Sequence, residues 1–169
     1  EIKTIRLNET IVELKSASRR DGLTGLLNRL ALEDDASITD CRHMAVYMID
    51  INYFKEINDR YGHAAGDTIL REVSETLKHL YPGAHYYRYG GDEFLVVGYN
   101  IGLEECVKVA ERIKTRCEEE LIMPDGSNIT ASIGVIEIDE NEEFEKNLTR
   151  FDDQLYKAKA LGRNRVVYK

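Results

Sequence analysis

The chain has no tryptophan, two prolines, three cysteines and four histidines in 169 residues. Cys41, Cys106 and Cys117 are odd in number and widely separated, and His43, His63, His79 and His85 form no HxH or HxxxH pair. A histidine or cysteine zinc site is therefore not expected, and a reduced, cytoplasmic setting is. No apolar run reaches the length of a membrane span and no secretory signal opens the chain, so this segment is expected to make no membrane contact. Any membrane anchor would belong to other parts of a longer protein, which the start at Glu1 rather than Met implies. The phosphate loops GxxxxGK[ST] and helix-opening GxGxxG are both missing. Positive charge is also short: 23 Lys and Arg against 31 Asp and Glu give a net charge of −8. A nucleic-acid polymer is a poor partner for such a surface. A single nucleotide is not excluded, because local charge can oppose the global sign.

What is present is a soluble composition, 43% hydrophobic and 32% charged, in a length that suits one domain. The stretch Arg88 to Phe94, RYGGDEF, stands out. A short aromatic run, Ala84 to Tyr89, precedes it and an apolar run, Phe94 to Val97, follows, which predicts a tight hairpin about Gly90 and Gly91. Two glycines beside Asp92 and Glu93 would let backbone approach a bulky ligand while the acids hold a divalent cation. Alone, such a turn is no more than a solvated hairpin.

In chain order, Leu7, Ile11, Leu14 and Ser18 fall at a 4-3-4 spacing on a helix over residues 1–19. That helix either pairs with a copy of itself or caps the domain. Asp21-Gly22 marks a turn, with Thr24 expected to cap a helix running from Leu26 to the Asp34-Asp35 region. Met44 to Ile49 reads as a buried central strand ending at Asp50, where an α/β sheet places its chemistry. Phe54 to Arg60 is predicted helical, with Lys55 and Asn58 on one face. Asp67 sits at the expected N-cap of a helix over Thr68–Leu80, and a purely capping role is the plain alternative for it. Further elements are a helix over Leu103–Glu120, a strand over Asn128–Ile138, a helix over Phe144–Leu161 and a strand over Arg165–Tyr168. Lys159 and Arg163 share a helix face if that helix persists through Leu161. The order predicts an α/β (α+β) fold, a largely antiparallel sheet covered by helices, with an N-terminal helical extension.

Six segments in this order, DGLTGLLNR (21–29), DINYFKEIND (50–59), YGHAAGD (61–67), RYGGDEF (88–94), ASIGV (131–135) and YKAKALGRNR (156–165), resemble the GGDEF domain family, the diguanylate cyclases. The resemblance spans residues 21–168 and divides the chain into a linker or signalling helix (1–20) and a catalytic domain (21–169). It implies a fold similar to the palm of nucleotide cyclases and polymerases, and the joining of two GTP into cyclic di-GMP with release of two pyrophosphates. It further implies that Asp50, Asp92 and the main-chain carbonyl of Ile51 hold two Mg²⁺, with Mn²⁺ as a substitute. Glu93 is implied either as a metal ligand or as the acceptor of the ribose 3′-hydroxyl proton. Asn58 and Asp67 match the guanine-reading pair. Lys55, Lys159 and Arg163 match the phosphate contacts, helped by backbone N–H groups near Tyr53 and Phe54 and by Gly90-Gly91.

The charges fit these roles. A triphosphate brings about four negative charges and Asp50, Asp92 and Glu93 three more, which two divalent ions and three side-chain cations offset. A carboxylate at position 67 suits the N–H donors of guanine and rejects adenine. A two-fold symmetric product requires two copies facing each other, with the leading helix as dimer handle and an upstream sensor domain acting through it. Two departures from the family pattern stand out. Tyr81 and Ala84 replace the Arg and Asp of the inhibitory RxxD product site, so feedback by that route is not expected, and Asn52 stands where Asp is frequent. A catalytically silent module that binds GTP or a protein partner is the alternative function, and an enzyme making a different nucleotide is a third.

Overall fold

The structure is a computed structural model that describes residues 2–38 and 44–169. Cys41 and His43 lie outside the described residues. The elements are α1 (Ile2–Ser18), β1 (Leu27–Asn28), α2 (Arg29–Ile38), β2 (Met44–Ile51), α3 (Phe54–Tyr61), α4 (His63–Leu80), β3 (His85–Arg88), β4 (Glu93–Tyr99), α5 (Leu103–Glu120), β5 (Ala131–Glu137), α6 (Phe144–Ala160) and β6 (Val166–Tyr168).

Six strands form one sheet in the order β1-β3-β4-β2-β5-β6. The central pairs β3–β4, β4–β2 and β2–β5 are antiparallel, and the short edge strands β1 and β6 run parallel to their neighbours. The expected largely antiparallel α+β sheet is therefore what forms. Both faces are covered, which explains why the strands are apolar throughout rather than alternating. On one face Tyr47, Ile49, Ile51, Phe94, Val96, Ile133 and Val135 pack with Val73 and Leu77 of α4 and with Cys106, Val109 and Ile113 of α5. On the other, Met48, Leu95, Val97 and Ile136 pack with Ala31 and Leu32 of α2 and with Phe151 and Leu155 of α6. Burial pushes the thiols of Cys106 and Cys117 up to about 12, so both are inert core groups.

Helix α6 lies unusually close to the sheet at Gly134. A Cβ there would lie 2.6 Å from the Leu155 nitrogen, so only glycine admits the helix backbone. This contact seats the middle of α6 on the sheet, and Lys159 in its last turn reaches Asp50 near the end of β2.

Three local expectations are corrected. The segment at Leu26 does not begin a helix: Leu27 and Asn28 pair with Tyr87 and Arg88, and α2 starts at Arg29. Thr24 is not its cap, because the Thr24 hydroxyl and amide both bond the Asp21 carboxylate, at 2.7 and 2.8 Å. Asn28 caps α2 instead, accepting from the Ala31 amide (2.9 Å) while donating to the Ser18 carbonyl (2.6 Å) at the end of α1. The helix carrying Asp67 begins at His63, so Asp67 lies in its second turn and Gly62 takes the N-cap position. The strand expected from Asn128 begins at Ala131, with Asn128 only bridging Ile122.

Along α1 the apolar side chains Ile2, Ile5, Leu7, Ile11, Val12 and Leu14 are all exposed, with Leu7 at 60% and Leu14 at 64%. The helix therefore extends from the domain rather than capping it. No helix among the described residues is long and apolar enough to cross a membrane.

Candidate active site

Strand register builds the centre of the site. Asp50, last but one in β2, is paired across the antiparallel ladder with Glu93, the first residue of β4. Register partners point to the same face, so two carboxylates meet side by side, an arrangement that is unfavourable without a cation. Asp92 joins them from the turn, its carbonyl accepting from the Ile51 amide at 3.2 Å. Carboxylate oxygens of Asp50, Asp92 and Glu93 lie within 4.8 Å of one another. Asp50 is buried and the other two are half-buried. Burial, reinforced by Asp92, pushes the Asp50 carboxyl above the ordinary carboxylate range although Lys159 opposes it. Burial, then Asp50 and Asp92, raise Glu93 in the same way.

This geometry fits a hard divalent ion. Its bonds to oxygen of about 2.1 Å span up to roughly 4.2 Å between opposite ligands, so small side-chain rotations would close the acids on it. All available donors are oxygens, which suits Mg²⁺ or Mn²⁺ and not a soft ion.

The turn between β3 and β4 is wider than the predicted two-residue hairpin. Arg88 pairs with Phe94, and both the Tyr89 and Gly90 amides donate to the Glu93 carbonyl, at 2.9 and 3.2 Å. Neither Gly90 nor Gly91 has positive φ. The turn is held instead by Arg88, whose guanidinium donates to the Gly91 carbonyl (2.8 Å) and to Asp21 (3.1 and 3.2 Å).

Beyond Ile51 the chain turns sharply. Tyr53 has left-handed backbone, φ 58° and ψ 30°, which converts the end of β2 into the start of α3. Asn52 is engaged with β5 and the residue before it. Its amide donates to Thr130 Oγ1 (2.8 Å) and its Oδ1 accepts from Ser132 (2.7 Å), so it clamps the strand end to β5. The three clustered carboxylates are Asp50, Asp92 and Glu93, and Asn52 adds no charge to them.

Phe54 and Lys55 open α3; Phe54 packs on the core and Lys55 is exposed. Asn58, one turn on, carries a buried Oδ1 without a hydrogen-bond partner among the described residues. Gly66 of α4 abuts it: a Cβ at position 66 would lie 1.9 Å from Asn58 Oδ1 and 3.1 Å from the Phe54 ring. That contact brings the half-buried Asp67, next in the chain, to the same helix junction.

Lys159, in the last turn of α6, is hydrogen-bonded to Asp50 Oδ2. Helix α6 ends at Ala160, so Lys159 and Arg163 do not share a helical face. Arg163, at φ 61°, folds over the Tyr53 ring with its guanidinium carbon 5.0 Å from the centroid. The two cations thus flank the strand end from separate positions. Asp152, two turns before Lys159, is a fourth acid missed in the sequence: burial and Asp153 raise it while Lys159 opposes, and its charge is felt at Glu93.

Tyr81 and Ala84 lie elsewhere. Tyr81 packs against Gly98, where a Cβ would lie 2.9 Å from its ring, and Ala84 is buried. An RxxD pair is absent from these positions, which belong to the core.

A covered antiparallel sheet with acids converging at a strand end and a β-turn defines a nucleotide-cyclase-like class of domain. The comparisons with known proteins identify it further: residues 18–165 match the family described as diguanylate cyclase, GGDEF domain, and the chain belongs to that family. Diguanylate cyclase VdcA of Vibrio cholerae is 37% identical over 96% of this chain and 50% of its own length. Diguanylate cyclase A of Treponema denticola is 46% identical over 73% of this chain and 34% of its own. The coiled coil and GGDEF domain of DgcB from Caulobacter crescentus, solved with c-di-GMP, superposes with a TM-score of 0.89 at 27% identity, covering 99% of this chain and 94% of that one. The chain spans about half or less of the curated relatives it matches.

Proposed function

We propose that this domain is a diguanylate cyclase, condensing two GTP into cyclic di-GMP and two pyrophosphates. The observation that carries the reading is the convergence of Asp50, Asp92 and Glu93 oxygens within 4.8 Å at the end of β2. Asp50, Asp92 and the Ile51 carbonyl would hold two Mg²⁺ or Mn²⁺. Such ions activate the attacking 3′-hydroxyl and stabilise the charge gathering on the leaving pyrophosphate. Glu93 either completes that ligand set or takes the hydroxyl proton, and its raised pKa suits the second role.

Asn58 and Asp67 read the guanine edge. The unpartnered Asn58 Oδ1 supplies an acceptor for an N–H of the base, which rewards guanine. Lys55, Lys159 and Arg163 hold the phosphates, with the backbone at Tyr53, Phe54 and Gly90-Gly91 around them. One domain binds one GTP, so ring closure takes two domains facing about a two-fold axis. The exposed apolar seam of α1 serves as the dimer handle, and an upstream sensor domain sets the pairing through it. We assign the domain to the cytoplasm, where GTP and Mg²⁺ are available.

Incubation with Mg²⁺ and either GTP or ATP, read by mass, tests the proposal. Cyclic di-GMP from GTP and no cyclic product from ATP is the expected result. GTP left unchanged at every protein concentration would favour a silent module.

A further inference from the structure

The buried acid of the cluster already holds a cation. Lys159 donates its ammonium to Asp50 Oδ2, with the lysine side chain 36% exposed and the aspartate 8%. The other candidate phosphate cations are placed differently: Lys55 lies exposed on α3 and Arg163 stacks on Tyr53. The α6 backbone one turn before Lys159 is fixed by its close approach to Gly134, whereas the four-carbon lysine stem can swing. A divalent ion drawn to Asp50 meets this ammonium at short range, where like charges repel strongly in a half-buried site.

We propose that Lys159 is the resident cation of the ion-free site. It neutralises Asp50 until a divalent ion arrives, is expelled by that ion, and is thereby released toward the phosphates of the incoming nucleotide. The inference rests on the metal-site reading above. Two consequences follow from the exchange. Ion binding without nucleotide is weakened, because each ion must break the Lys159–Asp50 pair. Ion and nucleotide bind cooperatively, because the nucleotide gives the displaced ammonium a new anionic partner.

The test measures Mn²⁺ binding to the whole chain without nucleotide, counting free ion by electron paramagnetic resonance, with folding checked by circular dichroism. Lys159→Gln should bind Mn²⁺ about tenfold tighter than the unaltered protein. Lys55→Gln, which removes an equal charge that does not touch Asp50, should shift binding by no more than about twofold. In the unaltered protein, reductive methylation of Lys159, mapped by mass spectrometry, should accelerate when Mn²⁺ is added. Equal affinities for the two lysine variants, or Lys159 methylation unchanged or slowed by Mn²⁺, would overturn the inference. If Asp50→Asn and Asp92→Asn abolish Mn²⁺ binding while Lys159→Gln matches the unaltered protein, only the displacement fails. If neither aspartate variant changes Mn²⁺ binding, the metal-site reading fails and the displacement with it.

Discussion

Asp21 and Arg88, 67 residues apart in sequence, form an ion pair at 3.1 Å whose arginine also holds the Gly91 carbonyl at 2.8 Å. Asp21 lies three residues past the end of α1, and Gly91 precedes Asp92 of the acid cluster. One planar guanidinium therefore fastens the junction of the leading helix to the turn that carries Asp92 and Glu93.

Arg88→Lys keeps the charge but cannot reach both partners, since an ammonium lacks the planar fork. It should cost roughly 1–2 kcal/mol of stability and lower turnover more than it lowers GTP affinity. Arg88→Ala should cost more, roughly 3 kcal/mol, because it leaves the half-buried Asp21 charge without its ion partner and only the two Thr24 hydrogen bonds. Urea unfolding and steady-state kinetics check both. Full turnover in Arg88→Lys would show that the turn does not depend on this clamp.

Gly66→Ala reverses a common rule. An alanine in a helix interior ordinarily stabilises by about 1 kcal/mol over glycine. Here the added methyl would overlap Asn58 Oδ1 at 1.9 Å, so the variant should be less stable and should bind GTP at least about tenfold more weakly. Thermal melting and GTP binding by calorimetry read the two effects separately.

Asp21 and Asp35 should contribute to the loss of stability in acid. Burial opposes their ionisation, but Thr24 and Arg88 hold Asp21, and Arg19 and Tyr87 hold Asp35, below the usual carboxylate range. A carboxylate depressed in the folded state gives stability that is complete above its unfolded pKa, about 4, and lost as pH falls through the folded value. Stability should therefore drop below about pH 4. Asp21→Asn and Asp35→Asn should each be less stable at neutral pH and show a shallower drop, measured by urea unfolding from pH 3 to 7.

The seam of α1 makes a prediction about concentration. If dimerisation limits the rate, turnover per chain rises with protein concentration. Leu7→Ser with Leu14→Ser should lower turnover at low concentration, with recovery as concentration is raised. Sedimentation and rate measurements over the same range check this.

How far the sequence reached depended on whether a signal was local. Asp50 and the Gly90–Glu93 turn were legible because a buried strand run and a turn between strands each fixed a position. Their meeting followed once β2 and β4 were neighbours. Asp67 was misplaced because Gly62 and Gly66 both read as breakers. Gly62 does end α3, with φ 86°, but Gly66 is helical and is glycine to make room for Asn58. The Asn52 clamp, the Lys159–Asp50 pair and the place of Asp152 join segments up to 109 residues apart, and no short-range pattern encodes them. The motif around Gly134 appeared without a reason, which the closeness of α6 supplies.

Asp50, Asp92 and Glu93 are proposed to gather divalent ions beside a guanine nucleotide. Anomalous scattering from crystals grown with Mn²⁺ and a non-reacting GTP analogue measures this directly. Mn²⁺ peaks bounded by Asp50, Asp92 and the Ile51 carbonyl, with the base against Asn58 and Asp67, are the expected result. Mn²⁺ bound away from Asp50 and Asp92, or a base seated away from the junction of α3 and α4, would contradict it.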